Sequence, residues 1–433
     1  MLIFVEIMSI LVKKGDKSMD KAYVTELKII NVRHLHNIRI SLSKTERKHL
    51  IITGQNGSGK TSLLHSISCF LDYLVSDEYQ KDESCKQVAE LKDELREMDE
   101  SNRTERKKLL QKIRDAEMNA RDRWNDGCVI ETNDPEELRS RYKKGQFILA
   151  HCRDDRRFEF NICTDLSRED LKQVFKIDEH PSENIGKYLA NLKSALAFAM
   201  MDKDETRIQQ IETWFDLLRQ ALCNIYNRND LSLDFDRETF RFFINIPGRV
   251  PIPLEHMSMG YAAMFDIIAN LVMRMANHCT YNLEGIVLID EVENHLHVSL
   301  QQKVMPILME LFPNIQFIVT SHSPFVLNST PNAIVYDLAY DPAHCERTED
   351  GALTDLPYDL VVEQHFGEKQ ISRRLRKMLD EYKAEVTKTH PDKYNIEILE
   401  RQLSSVPAHL SLEFLAEYEQ AKLDARRNKV NWK

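Results

Sequence analysis

The stretch LIITGQNGSGKTSLL, which begins at Leu50, places Gly-x-x-x-x-Gly-Lys-Thr between two apolar runs. This spacing predicts a strand, a phosphate-binding loop and a helix, because glycines let backbone N–H groups turn inward around an anion. In such a loop Lys60 reaches the β- and γ-phosphates, and Thr61 ligates Mg²⁺. A chance glycine-rich turn is the alternative, but it leaves the flanking apolar runs unexplained. We therefore expect ATP to bind at Gly54, Gln55, Asn56, Gly57, Ser58, Gly59, Lys60, Thr61 and Ser62.

A second motif, GIVLIDEVENHLH, ends an apolar run with two adjacent carboxylates, Asp290 and Glu291. Residues 286–289 are all apolar, as in a strand buried on both faces of a parallel sheet. Mg²⁺ prefers oxygen ligands, so we expect Asp290 to hold the metal opposite Thr61. Glu291 is then the expected catalytic base, which orients and deprotonates the attacking water. Because an unpaired buried charge is costly, two acids at a strand end favour a functional role.

Two further segments supply candidate contacts for the γ-phosphate. MSMGYAAMFDIIANLVMRM places Ser258 and Gly260 at the start of a predicted helix, whose N–H groups and dipole attract phosphate. FIVTSHSPFVL is a predicted strand that ends in Thr-Ser-His, with His322 last. A Ser-x-Gly pair alone is only a helix cap. Its position shortly before the acidic strand makes Ser258 and Gly260 candidate nucleotide contacts, and His322 is a candidate catalytic γ-phosphate sensor.

The remaining segments predict an α/β head with one insertion. YVTELKIINVRHLHNIRISL alternates apolar and polar residues, which predicts two strands around a turn. Helices are expected at about 169–227, followed by the strands LSLDF and TFRFFINI. A charged segment with helical apolar spacing, broken at DESN, predicts a short helical hairpin, one solvated helix being the alternative. The expected domains are an extension at 1–22, a head at 23–77 and 124–340, a hairpin at 78–123 and a helical C-terminal region at 341–433.

Composition limits the location and the partners. A net charge of −10 argues against wrapping of nucleic acid by the whole surface. The 8 cysteines include no Cys-x-x-Cys pair, as is typical of reduced cytosolic proteins. The apolar start MLIFVEIMSILV carries Glu6, lacks a basic beginning and is too short to span a bilayer. We expect a cytoplasmic protein with no membrane partner, and the candidates for its natural start are Met1, Met8 and Met19.

In order, GQNGSGKT, MSMG, DEVENHLH and TSHSP resemble the motifs of the ATP-binding-cassette branch of AAA-annotated ATPases found in bacterial defence systems. The resemblance covers residues 23 to about 338. It implies an α/β P-loop head, with a mixed sheet and flanking helices, that forms a homodimer or higher homo-oligomer with ATP between protomers. The phosphate loop of one protomer would face Ser258 and Gly260 of the other. Glu293 to His297 resembles the loop through which such protomers communicate.

The subclass depends on what the sequence lacks. The long coiled coils and zinc hook of DNA-repair relatives are missing, as is a toprim domain like that of overcoming-lysogenisation-defect nucleases. The short hairpin and helical tail look like the PtuA-type ATPases of Septu anti-phage systems and related retron modules. This resemblance implies control of a separate HNH-type nuclease, through which nucleic acid could be contacted. An ATPase paired with a toprim effector, of the AriA type, and an ATP-gated scaffold with little turnover are the alternatives.

Weaker candidates lie outside these motifs. Gln146 is a candidate for the glutamine with which cassette ATPases sense magnesium. Eight arginines could contact nucleic acid, although clusters this short are more often solvated faces or partner contacts: Arg153, Arg156, Arg157, Arg373, Arg374, Arg376, Arg426 and Arg427.

The helices of the C-terminal region are expected to expose more apolar residues than a solvated segment needs, and we expect some of them to pack on the head and some to receive a partner. The alternative is that the region closes its own core. The residues are Leu360, Phe366, Ile371, Leu375, Leu379, Leu399, Leu403, Leu412, Phe414 and Leu415. Removal of residues from about Tyr394 onward is expected to leave a soluble ATPase that loses its nuclease.

Overall fold

The computed structural model describes residues 22–81, 91, 94–95, 98, 105–113, 127–156, 161, 172–278, 280–338, 346–348, 373–388, 392–404 and 417–423. The chain divides into two compact units, Met1–Leu356 and Pro357–Lys433. The predicted extension at 1–22 lies almost entirely outside the described residues, as does most of the predicted hairpin at 78–123. Among the described residues, no helix is both long enough and apolar enough to cross a bilayer.

The described residues of the larger unit form three sheets. Their strands are β1 (Val24–Val32), β2 (Leu35–Ser41), β3 (His49–Thr53), β4 (Gly127–Thr132), β5 (Phe147–Cys152), β6 (Ser232–Asp236), β7 (Arg241–Asn245), β8 (Ile252–Pro253), β9 (Glu284–Ile289), β10 (Ile315–Thr320), β11 (Ala333–Asp337) and β12 (Glu346–Thr348). The central sheet has the order β12-β11-β3-β10-β9-β5, and only β12 runs antiparallel to its neighbour. The predicted α/β class with a mixed sheet is confirmed.

Helices connect and flank these strands. They are α1 (Lys60–Val75), α2 (Asp77–Lys81), α3 (Pro135–Lys143), α4 (Ile185–Asp202), α5 (Glu205–Tyr226), α6 (Met259–Met275), α7 (Val298–Gln301), α8 (Val304–Leu311) and α9 (Pro324–Ser329), with α10 (Arg373–Val386) and α11 (Lys393–Ser404) in the smaller unit. Short 3₁₀ helices occupy Pro181–Asn184, Leu254–His256 and Ala276–His278. Residues 105–113 and 417–423 are also helical.

The core lies against the central sheet. Every residue of β3, β5 and β10 is buried, as expected for parallel strands that are covered on both faces. Helix α1 packs its apolar side into the same core, and β1 and β2 add their alternating apolar residues from a three-stranded sheet of order β2-β1-β4. The antiparallel register of β1 and β2 confirms the predicted pair of strands.

Three boundaries differ from the sequence expectation. The region expected to be helical from about 169 is not helical at 172–180, and its first α-helix begins at Ile185. β12 lies in the region expected to be helical, and it pairs with β11, so the central sheet continues beyond residue 340. The compact-unit boundary therefore falls after Leu356 rather than after residue 340.

Helix α6 has a buried polar side. Its Asp266 accepts a hydrogen bond from Ser182, and its Asn270 accepts one from Arg274 at 2.8 Å. Arg274 donates to the carbonyl of Leu149 in β5 at 2.7 Å, and also to carbonyls of Lys176, Ile177 and Glu179. Burial lowers the pKa of Arg274 to about 10, so the guanidinium stays charged. A single side chain thus fastens α6 to β5.

The smaller unit has an apolar core of its own. Leu379, Tyr382 and Val386 of α10 pack with residues of α11 and of helix 417–423, and the cluster is Leu379, Tyr382, Val386, Ile396, Leu403, Tyr418 and Ala421. Leu379 and Leu403 are fully buried in this cluster, so these two residues follow the alternative in which the region closes its own core. Leu399 packs against the same cluster. The remaining apolar residues of that expectation lie outside the described side chains.

Candidate functional site

The phosphate loop connects β3 to α1. Gly54, Gly57 and Gly59 all have positive φ values, of 141°, 84° and 92°. A Cβ atom at Gly54 would lie 2.5 Å from the Leu338 carbonyl oxygen, so glycine is required there by space as well as by backbone conformation. The predicted order of strand, glycine loop and helix is therefore present.

Lys60 begins α1 and is buried. Its Nζ donates to the carbonyl oxygens of Gly54 at 2.9 Å and of Gln55 at 3.0 Å. Burial lowers its pKa, whereas the negative charges of Glu291 and Asp290 oppose that shift. The ammonium therefore lies in the loop, with the acids after β9 close enough to affect it.

Asp290 and Glu291 follow β9 directly. Asp290 is buried, and its carboxylate accepts a short hydrogen bond from the Thr320 hydroxyl at the end of β10. Glu291 is partly exposed and has a φ of 43°, in the left-handed region. Its N–H donates to the same Thr320 Oγ1 at 2.7 Å. Thr320 thus links the two acids at the sheet edge where the phosphate loop begins.

Arg156 holds the other side of this acidic turn. It is 7% exposed and donates to the carbonyl oxygens of Asp290 at 2.7 Å and Glu291 at 2.8 Å. The grouping of Arg156 with surface arginines that contact nucleic acid or a partner is therefore wrong. Of the other seven arginines, the side chain of Arg153 is half exposed and near Asp178, and those of the remaining six lie outside the described residues.

Glu293 and His322 form the third part of the site. The Glu293 carboxylate accepts a short hydrogen bond from the His322 backbone N–H. Burial raises the pKa of Glu293, and burial together with the charge of Lys60 lowers the pKa of His322. His322 is therefore neutral near pH 7, and its imidazole can donate to an oxyanion from one nitrogen.

Ser258 and Gly260 stand at the beginning of α6. Ser258 is the exposed N-cap, and its side chain makes no capping hydrogen bond. A Cβ atom at Gly260 would lie 3.0 Å from the carbonyl oxygen of His295, so this turn packs against the loop after the acidic strand. Met259 between them is 71% exposed. This helix start therefore presents polar and apolar groups outward.

Gln146 does not belong to this site. It precedes β5, which runs parallel to β9 with Phe147 opposite Glu284. The carboxyl ends of β5 and β9 lead to Arg156 and Asp290, so Gln146 lies at the opposite edge of the sheet. The interpretation of Gln146 as a magnesium sensor is wrong. The sequence shows a glutamine next to a strand, but it does not show in which direction that strand runs in the sheet.

The residues present fit a magnesium nucleotide. Thr53 Oγ1 and Ser58 Oγ are buried beside the loop, and neither makes a hydrogen bond with another described residue. Thr61 and Asp290 offer hard oxygen donors, which Mg²⁺ prefers. Within the described part of the chain, no group of three or more His, Cys, Asp or Glu side chains could hold a metal. A site for Mg²⁺ bound mainly by phosphates and water needs only one or two protein oxygens.

Sequence reasoning missed the parts of the site that come from distant segments. Arg156 precedes Asp290 by 134 positions, and no local pattern connects them. Thr320 was noted only as a polar strand end. Its position on β10, next to β9, was the available signal, since neighbouring parallel strands end at the same edge.

The family model described as "AAA domain, putative AbiEii toxin, Type IV TA system" matches residues 50–328 of the chain. This range includes the phosphate loop, both acids, the start of α6 and His322.

The curated relatives match the chain at low sequence identity or over a short segment. "Septu protein PtuA" of Bacillus mycoides (strain KBAB4) is 23% identical over 312 residues, which cover 70% of this chain and 39% of the relative. "Retron Ec83 probable ATPase" of Escherichia coli is 41% identical over 87 residues, 19% of this chain and 16% of the relative. The matched part of the chain thus spans less than half the length of either relative.

Solved structures that resemble the chain include an Smc head bound to the C-terminal winged-helix domain of ScpA. It is 13% identical, with a TM-score of 0.39, and covers 77% of this chain and 100% of the Smc chain. A nucleotide-free ATP-binding cassette of an ABC transporter is 14% identical, with a TM-score of 0.32, and covers 80% of this chain and 97% of the cassette. Both are distant, and the fold described above rests on the strand order of this chain itself.

Proposed function

The chain belongs to the AAA-domain family that matches residues 50–328, and we propose that it is an ATP-binding and ATP-hydrolysing regulatory subunit of a bacterial anti-phage defence complex. The observation that carries the enzymatic part is the edge of the central sheet. There the ends of β3, β9 and β10 carry a phosphate loop, two acids and a histidine. Each group answers a separate need of phosphoryl transfer.

Binding is assigned to the loop after β3. Backbone N–H groups of residues 54–62 bind the phosphates, and Lys60 exchanges its carbonyl contacts for β- and γ-phosphate oxygens. Thr61 and Asp290 would hold Mg²⁺, which would supply positive charge against the phosphate oxygens. Burial favours this exchange, because an ammonium gains more from an anion than from neutral carbonyls.

Hydrolysis is assigned to Glu291 and His322. The Glu291 carboxylate accepts a proton from water as the water oxygen bonds to the γ-phosphorus. The bond between that phosphorus and the bridging oxygen breaks, which leaves ADP and phosphate. Neutral His322 donates a hydrogen bond to the γ-phosphate. Glu293 is less suited to act as the base, because its carboxylate already accepts a hydrogen bond from the His322 backbone N–H.

A second copy of the chain completes the site in this proposal. Ser258 and the first turn of α6 are directed to the γ-phosphate of ATP bound to the other protomer. The exposed Met259 and the 45% exposed Val298 flank this contact, and both would be covered in a dimer. The ATP-binding-cassette arrangement with two nucleotides between two heads is therefore favoured.

The regulated partner is proposed to be a separate nuclease, with an HNH enzyme preferred over a toprim enzyme. Support comes from relatives named as a Septu protein and as a retron ATPase. The test is purification of the chain together with the products of the reading frames next to its gene, with and without ATP. Retention of an HNH nuclease supports the proposal, whereas retention of a toprim protein assigns the alternative pair.

The enzymatic proposal is tested by Glu291→Gln. Amide replaces carboxylate without loss of volume, so we expect ATP binding to persist, phosphate release to stop and dimers to accumulate in size-exclusion chromatography. Glu46→Gln, at a 60% exposed side chain, is the matched control. Normal phosphate release by Glu291→Gln would remove Glu291 from the mechanism. Tight binding with no turnover by the wild-type chain would instead favour an ATP-gated scaffold.

A further inference from the structure

Glu291 has an unusual backbone for its role. Its φ of 43° places a residue with a long side chain in the left-handed region, which L residues other than glycine adopt rarely. Such a conformation persists only where surrounding contacts hold it. The contacts that fix this backbone therefore also determine where the carboxylate points.

Two side chains from other segments hold the peptide groups on either side of Glu291, in addition to backbone hydrogen bonds from the Asn294 N–H to the Glu291 carbonyl at 2.8 Å and from the Val292 N–H to the Thr320 carbonyl at 3.1 Å. On the amino side, the Glu291 N–H donates to Thr320 Oγ1 at 2.7 Å, and the Thr320 hydroxyl hydrogen is directed to the Asp290 carboxylate. On the carboxyl side, its carbonyl oxygen accepts from Arg156 Nη2 at 2.8 Å. The turn is thus fixed from β10 on one side and from the segment after β5 on the other.

The arginine spans two consecutive carbonyls. Nη1 of Arg156 donates to the Asp290 oxygen at 2.7 Å while Nη2 donates to that of Glu291, so the planar guanidinium sets the relative orientation of both. Nη1 also donates to the Arg153 carbonyl at 2.9 Å, which curls the segment after β5 around the side chain. A lysine, with a single ammonium, could not impose the same geometry.

The segment that carries Arg156 is itself fastened to the acidic turn. The Asp290 N–H donates to the Cys152 carbonyl at 2.9 Å, and Asn294 Nδ2 donates to the Asp154 carbonyl at 2.8 Å. Among the described residues, Arg156 forms no salt bridge with a carboxylate. Its buried guanidinium therefore donates to backbone carbonyls. This arrangement is typical of a residue that orients a turn and not of one that neutralises an acid.

We propose that Arg156 is a positioning residue for ATP hydrolysis, which holds the left-handed backbone of Glu291 so that its carboxylate faces the attacking water. Thr320 is its counterpart on the other side of the turn. This inference rests on the proposed function, since it assumes that Glu291 is the base. It assigns to Arg156 an effect on the chemical step and not on nucleotide affinity.

The first test compares Arg156→Ala and Arg156→Lys with Arg39→Ala, whose arginine is 62% exposed on β2. We expect Arg156→Ala to bind ATP within about twofold of wild type but to lose about 100-fold in kcat, as for a misplaced catalytic group. Millimolar guanidinium chloride should restore part of the kcat of Arg156→Ala and not that of Glu291→Gln. Arg156→Lys should stay well below wild type, and Arg39→Ala should match it.

The second test keeps the proposal falsifiable if Arg156→Ala does not fold. Thr320→Val preserves side-chain shape but removes the hydroxyl, and Thr320→Ser keeps it. We expect Thr320→Val to lose kcat with the ATP dissociation constant little changed, and Thr320→Ser to retain most of it. Equal kcat for Thr320→Val and wild type overturns the proposal, as does Arg156→Ala with wild-type kcat or a loss that guanidinium cannot reverse. A wild-type chain that binds ATP without hydrolysing it would refute the function itself, which is a distinguishable result.

Discussion

At the residue scale, the ammonium of Lys60 is the group on which the proposed nucleotide binding depends most directly. It lies buried between two loop carbonyls, and no other described lysine is placed in the phosphate loop. We predict that Lys60→Ala weakens ATP binding by at least about 100-fold, since it removes charge-assisted hydrogen bonds to two phosphates. Isothermal calorimetry measures this directly. Lys143→Ala, at an exposed lysine paired with Asp77, should bind ATP normally, and unchanged affinity in Lys60→Ala would contradict the assignment.

Residues in contiguous motifs could be predicted from the sequence, whereas residues that act across the sheet could not. Lys60 and Thr61 belong to one local pattern, and Asp290 and Glu291 end one apolar run. Arg156 and Thr320 meet Glu291 only because β5 and β10 flank β9. Strand order is set by packing of the whole sheet, so it is invisible to local periodicity. The error over Gln146 has the same origin.

At the element scale, β5 and β9 approach so closely that one position on β9 must be glycine. A Cβ atom at Gly285 would lie 2.5 Å from the carbonyl oxygen of Ile148 and 2.9 Å from its Cβ atom. We predict that Gly285→Ala separates these strands and lowers the free energy of unfolding by about 1–3 kcal/mol, as overpacking does. Urea denaturation followed by circular dichroism measures the change.

Gly248→Ala serves as the control for this substitution. A Cβ atom there meets nothing within 4 Å, although its φ of 80° adds a backbone penalty of about 1–2 kcal/mol. Because Gly285 belongs to the strand that ends at Asp290, its alanine variant should also lose ATPase activity, whereas Gly248→Ala should not. Equal loss of activity in both variants would show that crowding between β5 and β9 is not the cause.

The helices and strands lie where the sequence predicts them wherever the apolar periodicity is strong. The strands β1, β3, β9 and β10 and the helices α1, α5 and α6 lie where their patterns predicted them. β12 was missed because its three residues, Glu, Arg and Thr, carry no apolar signal. It forms only by pairing with the edge of a sheet that already exists.

At the scale of the whole molecule, the second compact unit indicates that a truncation should remove the whole unit and not begin at Tyr394. Removal of residues from Tyr394 would interrupt α11 and leave Leu379, Tyr382 and Val386 without Ile396 and Leu403. We predict that a chain ending at residue 393 aggregates, while one ending at residue 356 stays soluble and binds ATP. Light scattering and calorimetry distinguish the two. Equal solubility of both chains would argue against an independent core in this unit.

The pH dependence of stability follows from three histidines. Burial lowers the pKa values of His151, His180 and His322 below the ordinary value of 6.5. The unfolded chain then binds more protons than the folded chain as the pH falls below about 6.5. The folded state is therefore less stable at lower pH. We predict a lower urea midpoint at pH 5.8 than at pH 7.5.

The raised pKa values of Glu293 and Asp266 act in the opposite direction, because their protonated forms are favoured in the folded state. A variant separates the two effects. His180→Asn should reduce the difference between the two urea midpoints, since it removes one of the three histidine contributions. A midpoint that rises as the pH falls would show that the carboxyl groups dominate.

The bonds that fasten α6 to β5 have a mechanical consequence. Arg274 donates a hydrogen bond to the carbonyl of Leu149 in β5, and Arg156 lies a few residues after the end of β5. In the proposed dimer, a displacement of α6 by the second copy would reach the turn that carries Glu291 through Arg274, β5 and Arg156. Formation of that dimer would then be coupled to the onset of ATP hydrolysis. The subunit would then measure a time interval, which is the lifetime of the assembled dimer.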